Sequence, residues 1–113
     1  MIKSDPRTLA VDLLNRSICL VQVAAVIFDK HGIFAWGWNN VGIGFGIHAE
    51  AHAIERSNRR RLTGASIAIA GRRRGRVVPS KPCMSCYNRI VSVGIDKIYV
   101  QSRAGEWTVS SRG

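Results

Sequence analysis

Two short motifs about thirty residues apart carry side chains that must meet at one point to do chemistry together, and this requirement limits the possible folds of the chain. The first is His48-Ala49-Glu50 and the second is Pro82-Cys83-Met84-Ser85-Cys86. One imidazole and two thiolates supply three of the four ligands of a tetrahedral zinc, and a site with three protein ligands leaves the fourth position to water. Glu50 stands two residues beyond the histidine, too close in sequence for a comfortable fourth ligand. It can reach a water on the metal and move its proton. Each motif is expected to open a helix, so the fold must bring two helix starts together.

Neither motif is decisive alone. A Cys-x-x-Cys pair also fits a redox dithiol or a structural zinc knuckle, and a lone His-x-Glu carries little information. His48 and His52 lie four apart and would share a helix face, as in H-E-x-x-H metalloproteases. That motif needs its glutamate directly after the first histidine, where this chain has Ala49. His52 is therefore read as a packed or supporting residue. A closed structural site would have to recruit His52, His31 or Cys19. His31 reads as a solvent-exposed turn residue and Cys19 as a buried apolar side chain.

The 113 residues suffice for one domain, residues 1–113, with a single sheet-and-helix core. No stretch reaches the ~18 to 20 continuous apolar residues of a membrane span. The first residues lack the basic region and apolar run of a secretory signal, so a cytoplasmic protein is expected. Charge is the unusual property: 17 Lys and Arg oppose 7 Asp and Glu, a net +10, and 13 of the 17 are arginines. Arg59, Arg60 and Arg61 follow the first motif; Arg72, Arg73, Arg74 and Arg76 precede the second. Such runs fit either a solvated surface or a polyanionic partner, because guanidinium grips phosphate in a fork.

Asp5-Pro6 has the form of a helix start, and Leu9, Leu13 and Leu14 recur at helical spacing, so residues 6–16 should form an amphipathic helix. Residues 18–28 are almost continuously apolar, as in a strand buried on both faces. A four-residue turn, Asp29-Lys30-His31-Gly32, should return the chain as a hairpin partner over 33–38. The glycine-punctuated stretch 39–46 reads as one wall of a pocket. Residues 48–58 suit a helix, 65–70 a central strand, 71–75 a basic loop, and 83–93 a second helix closed by Gly94. Thiolates at that helix start are expected to be stabilised as anions. A strand over 97–100 should hairpin through Arg103-Ala104-Gly105 into 106–110, because three residues are too few for a parallel crossover. The expected class is α/β, a three-layer domain.

Both motifs and the order of elements resemble the cytidine deaminase superfamily from about residue 6 to residue 110, and the second motif resembles its deoxycytidylate-type and compact phage-type members. The resemblance implies a cytidine-deaminase-like fold: a five-stranded mixed sheet in the order 2-1-3-4-5, helices on both faces, and one zinc per chain held by His48, Cys83 and Cys86. The hairpin predicted between the last two strands resembles the antiparallel arrangement of the free-nucleoside deaminases, whereas polynucleotide and tRNA editors run these strands parallel with a helix between. Glu50 would be the catalytic proton carrier. Gly37-Trp38-Asn39 resembles the family's G-x-N, which makes Asn39 a substrate residue contacting sugar or base. The N–H of Ala49 would face the cytosine carbonyl, and the main-chain carbonyl near Lys81 would receive the amino group. Trp38 is a candidate for base stacking, with a core role as its simpler reading.

The implied reaction is zinc-dependent hydrolytic deamination of cytosine to uracil. The partner would be a cytosine-containing nucleoside, a nucleotide, or single-stranded DNA or RNA. The antiparallel hairpin, and a sequence ending soon after Ser110 without the helices that polynucleotide editors add, lean toward a small substrate; the charge leans toward a large one. An adenine-directed deaminase and a non-catalytic, zinc-stabilised basic nucleic-acid-binding module are the competing readings. Small size and exposed sheet edges point to a homo-oligomer, and no membrane association is expected.

Overall fold

The computed structural model describes residues 5–40 and 48–111. Helix α1 (Pro6–Leu13) starts where the sequence places it: Asp5 Oδ1 accepts the Arg7 N–H at 2.8 Å and Pro6 occupies the first turn. One 3₁₀ turn, Leu14–Arg16, completes the expected span. Ala10, Leu13 and Leu14 are buried against Ala24, Val26 and Ala70 of the sheet.

Strand β1 (Val21–Asp29) is the middle of the molecule, and its residues 24–27 have no exposed surface on either face. It pairs antiparallel with β2 (Gly32–Trp38) on one side and with β3 (Ser66–Arg73) on the other. The first hairpin is tighter than expected, because Asp29 already pairs with Gly32 and only Lys30 and His31 turn. His31 is exposed there, its N–H bonded to Asp29 Oδ1. Strand β3 runs parallel to β5 (Lys97–Gln101), which pairs antiparallel with β6 (Trp107–Ser111). The expected order of five strands holds as β2-β1-β3-β5-β6, and a two-residue β4 (Arg76–Val77) adds to the end of β3. The basic loop expected over 71–75 is therefore mostly strand: β3 continues through Arg73, and only Arg74 and Gly75 turn.

Helices α2 (Ala49–Glu55) and α4 (Met84–Ser92) belong to the core on the face opposite α1. Between α2, α4 and the sheet lie Ile54, Ile67, Ile69, Ile90 and Ile95, all fully buried. Each is worth about 1.5–3 kcal/mol relative to exposure. Helix α2 ends earlier than the expected residue 58, because Ser57 turns back with its Oγ on Ile54 O at 2.6 Å. The arginine triplet then forms a one-turn helix, α3 (Arg59–Leu62), capped by Asn58 Oδ1 on the Arg60 N–H. Gly94, at φ 92°, closes α4 against Thr63. Among the described residues no helix is long and apolar enough to cross a membrane.

Two contacts fix how the layers sit. A Cβ on Gly37 of β2 would lie 2.5 Å from Ala53 N and 2.9 Å from Ala49 O, so α2 rests almost on the strand backbone. Arg61 anchors α3 at the far end of β1 with a two-pronged bond to Asp29, 2.8 and 3.0 Å, and stacks on Phe34 at 4.2 Å.

Substituting Gly37→Ala should therefore cost about 2–3 kcal/mol, the upper range for overpacking, because backbone rather than a pliable side chain must move. Thermal unfolding would measure it, and an unchanged midpoint would contradict the close approach. A second expectation concerns acid. The Arg61 hydrogen bonds hold the Asp29 carboxyl at about 2, below its unfolded value of about 3.9. The pair's contribution is thus complete above pH 4 and disappears as pH falls through 2. Asp29→Asn should be less stable than wild type at neutral pH, with the gap closing on acidification; a gap independent of pH would refute the pairing.

Candidate metal centre

His48 and Cys83 occupy equivalent places in two helices. Each is the N-cap residue in extended conformation, with φ, ψ of −74°, 148° before α2 and −67°, 167° before α4. Cys86 follows in the first turn of α4. Because α2 lies on β2 and α4 bridges the parallel strands β3 and β5, both helix starts reach the same end of the sheet. His48 Nδ1 lies 3.2 Å from Cys86 Sγ and 3.8 Å from Cys83 Sγ, and the three ligand atoms all fall within 4.8 Å of one another. Tetrahedral zinc, about 2.0–2.1 Å from nitrogen and 2.3 Å from sulfur, sets N and S about 3.6 Å apart. The residues fit that ion.

Glu50, in the first turn of α2, is 5% exposed. Burial pushes its carboxyl above the ordinary range, against the smaller opposing pull of a backbone hydrogen bond, His48 and Cys86. The expected stabilisation of thiolate at the helix start does not hold for Cys86. Burial, then repulsion from Glu50 and the neighbouring Cys83, push its thiol up to about 12. A helix terminus is too weak to offset desolvation beside a carboxylate, so the anion requires a metal's charge, and loading the site releases protons.

The other expected residues divide. Asn39, Ala49 and Lys81 line a small pocket of about 230 Å³ together with His48, Glu50 and Cys83. Asn39 is also a structural clasp: its Oδ1 accepts from the Val23 N–H (2.8 Å) and Ser17 Oγ (2.7 Å), and its Nδ2 donates to Val21 O (2.7 Å). That network fixes the amide orientation and leaves one N–H proton. Trp38 does not line this pocket. It pairs with Ala24 and packs, partly buried, toward the α1 side, with Arg16 and Arg56 over its ring. His52 stays off the metal group. Its Nδ1 is 3.1 Å from Trp38 O and 3.2 Å from Trp38 N, a partner for either tautomer, and its ring meets Trp38 edge-on. The glycine-rich stretch expected to wall the pocket lies, over residues 41–47, outside the described residues.

The two arginine runs are not equivalent. Arg59, Arg60 and Arg61 sit at the β3 end remote from the metal group, with Arg61 committed to Asp29. Arg72 is braced by Gln22 and Asn15, while Arg73, Arg74 and Arg76 stand exposed on the hairpin that leads into the second motif. Ser80 was not singled out by the sequence. It is buried, its Oγ donates to Ile69 O at 2.6 Å and accepts the Gln101 N–H at 2.9 Å, and so it rivets the segment before Cys83 to β3 and β5. A serine next to a proline and a lysine gives no signal of that role.

Two helix starts on one face of the mixed sheet thus carry a His-Cys-Cys group able to hold a metal ion. Residues 7–102 match the family described as the cytidine and deoxycytidylate deaminase zinc-binding region, and the chain belongs to that family. The donor set and this match fit one zinc per chain. Solved structures share the fold. A cytidine deaminase from Burkholderia pseudomallei superposes with a TM-score of 0.73 at 21% identity, covering 98% of this chain and 93% of its own. A dCMP deaminase from the cyanophage S-TIM5 gives 0.64 at 21% identity, covering 82% of this chain and 76% of its own. A cytidine deaminase from Mycobacterium leprae gives 0.64 at 18% identity, with 93% and 88% covered. Among curated proteins none matches the chain in sequence.

Removing the rivet should loosen the site. Ser80→Ala strands a buried carbonyl and a buried N–H, at a cost of about 1–3 kcal/mol. It should also weaken zinc binding about tenfold, as loss of a supporting hydrogen bond does. Thermal unfolding and chelator competition test both; wild-type values in each would remove Ser80 from the design of the site.

Proposed function

We propose that this chain hydrolyses the C4 amino group of cytosine in a nucleoside, a nucleotide or a single strand, giving uracil and ammonia, with zinc held by His48, Cys83 and Cys86. The observation that carries the reading is Glu50, a carboxylate buried beside three converging ligand atoms to which, among the described residues, no fourth protein ligand is added. A zinc kept for folding would ordinarily close its coordination with protein, and the buried charge of Glu50 would then be a cost without a use.

Zinc at this position supplies a Lewis acid that lowers the pKa of water toward neutrality. Glu50 accepts a proton from the attacking water, gives it to the ring nitrogen N3, and later carries a proton to the departing amino group. Oxygen bonds to C4, the C4–N bond breaks, and ammonia leaves. Asn39 retains one amide proton for a sugar or base oxygen. The N–H of Ala49, first in its helix and lacking an intrahelical acceptor, is assigned to the cytosine carbonyl. The main-chain carbonyl near Lys81 is assigned to the amino group. Residues 1–113 form one deaminase domain in this reading. Three cysteines outside any disulfide support a reducing, cytoplasmic setting. The two sheet edges, β2 and β6, offer surfaces for a homo-oligomer.

Glu50→Gln should retain one zinc per chain by elemental analysis while ammonia release from cytidine, deoxycytidine and their monophosphates falls about a thousandfold or more. Turnover at the wild-type rate would end the assignment. No release by wild type from any cytosine substrate would favour the inert binding module, and release from adenine substrates alone would redirect the specificity.

A further inference from the structure

The β3–β4 hairpin concentrates positive charge in a geometry that the fold does not favour on its own. Arg73 and Arg76 face each other directly across the two strands, where like charges repel. The turn between them is Arg74 and Gly75, with φ of 51° and 78°. Positive φ at both central residues is the type I′ geometry, open to glycine and asparagine and unfavourable for arginine. From the β5–β6 turn comes Arg103, and the four side chains line an open groove of about 970 Å³. All four are exposed. The ion pairs among the described residues are Arg7–Asp5, Arg61–Asp29 and Arg89–Glu55, so none of the four is neutralised. Arg72, one residue before them, is instead tied to Gln22 Oε1 at 2.9 Å and Asn15 Oδ1 at 2.6 Å, which braces the root of the hairpin.

The groove adjoins the metal pocket, since Pro79 lines both. Repulsion between Arg73 and Arg76 is relieved by an anion placed between them. Guanidinium forks match phosphate oxygens. Four such charges exceed what one phosphate monoester requires, and the groove is about four times the size of the pocket that would take the base. No aromatic side chain lines it, so it suits a sugar-phosphate backbone and not the stacking of bases. A base can enter the small pocket only when it is unstacked, which a single strand permits at low cost.

We propose that the groove formed by Arg73, Arg74, Arg76 and Arg103 binds the phosphodiester backbone of a single-stranded nucleic acid whose cytosine occupies the metal pocket. The proposal rests on the deaminase reading for the fate of the cytosine and on the groove alone for binding. Fluorescence anisotropy of a labelled oligothymidylate of about twelve nucleotides, titrated with the zinc-loaded full chain over a salt series, reads the groove without turnover. Affinity should fall with salt at a slope of about −0.7 per phosphate contacted. Arg73→Gln with Arg76→Gln should flatten that slope by about 1.4 and weaken binding about tenfold or more. Arg74→Gly should weaken binding while the unfolding midpoint holds or rises, because the turn relaxes; misfolding cannot then account for the loss. Arg59→Gln with Arg60→Gln, equal in charge removed and remote from the groove, should stay within about twofold of wild type. Groove variants that bind like wild type would overturn the proposal, as would an α3 variant that loses as much. Deoxycytidine monophosphate binding as tightly as the oligonucleotide would also overturn it, leaving a one-phosphate site. A chain that binds the oligonucleotide in this pattern yet releases no ammonia upholds the groove and removes the deaminase reading; a chain that deaminates without the pattern does the reverse.

Discussion

The metal centre depends on how closely α2 can approach β2. Ala49 and Ala53, both without exposed surface, present methyl groups where larger side chains would hold the helix off, and Gly37 presents only hydrogen. The helix therefore lies almost in backbone contact with the edge strand, and its first residues overhang the end of the sheet. His48 and Glu50 gain their positions from this contact. A helix displaced outward by a methyl group would carry the imidazole away from two sulfurs that belong to a different element. Packing density is thus the first term in the chemistry, because interiors transmit a misfit rather than absorb it.

The second half of the site is held by hydrogen bonds. The segment between β4 and α4 has irregular backbone beside the sheet, where main-chain polar groups need partners. Ser80 provides them by entering the gap between Ile69 of β3 and Gln101 of β5, just beyond the last paired residues of those parallel strands. Cys83 then starts α4 from a fixed point. Ionising the assembled group without a cation is unfavourable: a buried carboxyl, a thiol pushed up to about 12, and a second thiol all lie near one imidazole. A dication reverses each of these penalties at once, which is why the donor set reads as a metal site and not as a redox pair.

The legible parts of the chain were those in which local chemistry and fold agree. Asp5-Pro6 announced α1, the apolar run announced β1 only from Val21 onward, with Ile18 and Leu20 before the strand and exposed, and the short Arg103-Ala104-Gly105 link announced an antiparallel hairpin, because each feature decides its structure within a few residues. The converging His-Cys-Cys group was legible because metal geometry restricts residue type and spacing. Harder to read were positions whose meaning is tertiary. Ser80 is an ordinary serine until β3 and β5 flank it. Asn39 looked like a substrate residue, and it also carries the clasp between the end of β2 and the start of β1, which spacing cannot show. The 71–75 stretch read as a loop because five residues rich in arginine and glycine have low strand propensity, yet pairing with Val21 and Gln22 extends β3 through Arg73. The thiol of Cys86 went the other way from expectation because burial beside Glu50 outweighs a helix terminus.

Topology and charge pulled the sequence reading in opposite directions, the antiparallel β5–β6 hairpin toward a small substrate and the arginines toward a large one. In three dimensions the two features share a location. The turn of that hairpin is what delivers Arg103 to the groove, and the extension of β3 into β4 is what delivers Arg73, Arg74 and Arg76. A parallel final pair would need a long crossover in place of this short turn. The three-residue link instead keeps Arg103 at the end of β5, beside the segment that leads to Cys83. Meanwhile the other triplet, at the remote end of β3, spends Arg61 on Asp29 and serves the fold. Net charge alone therefore says little about where a polyanion would lie on this protein. In the α3 triplet the fold supplies a counter-charge to Arg61, the arginine that holds layers together, whereas among the described residues it supplies none to Arg73, Arg74 or Arg76.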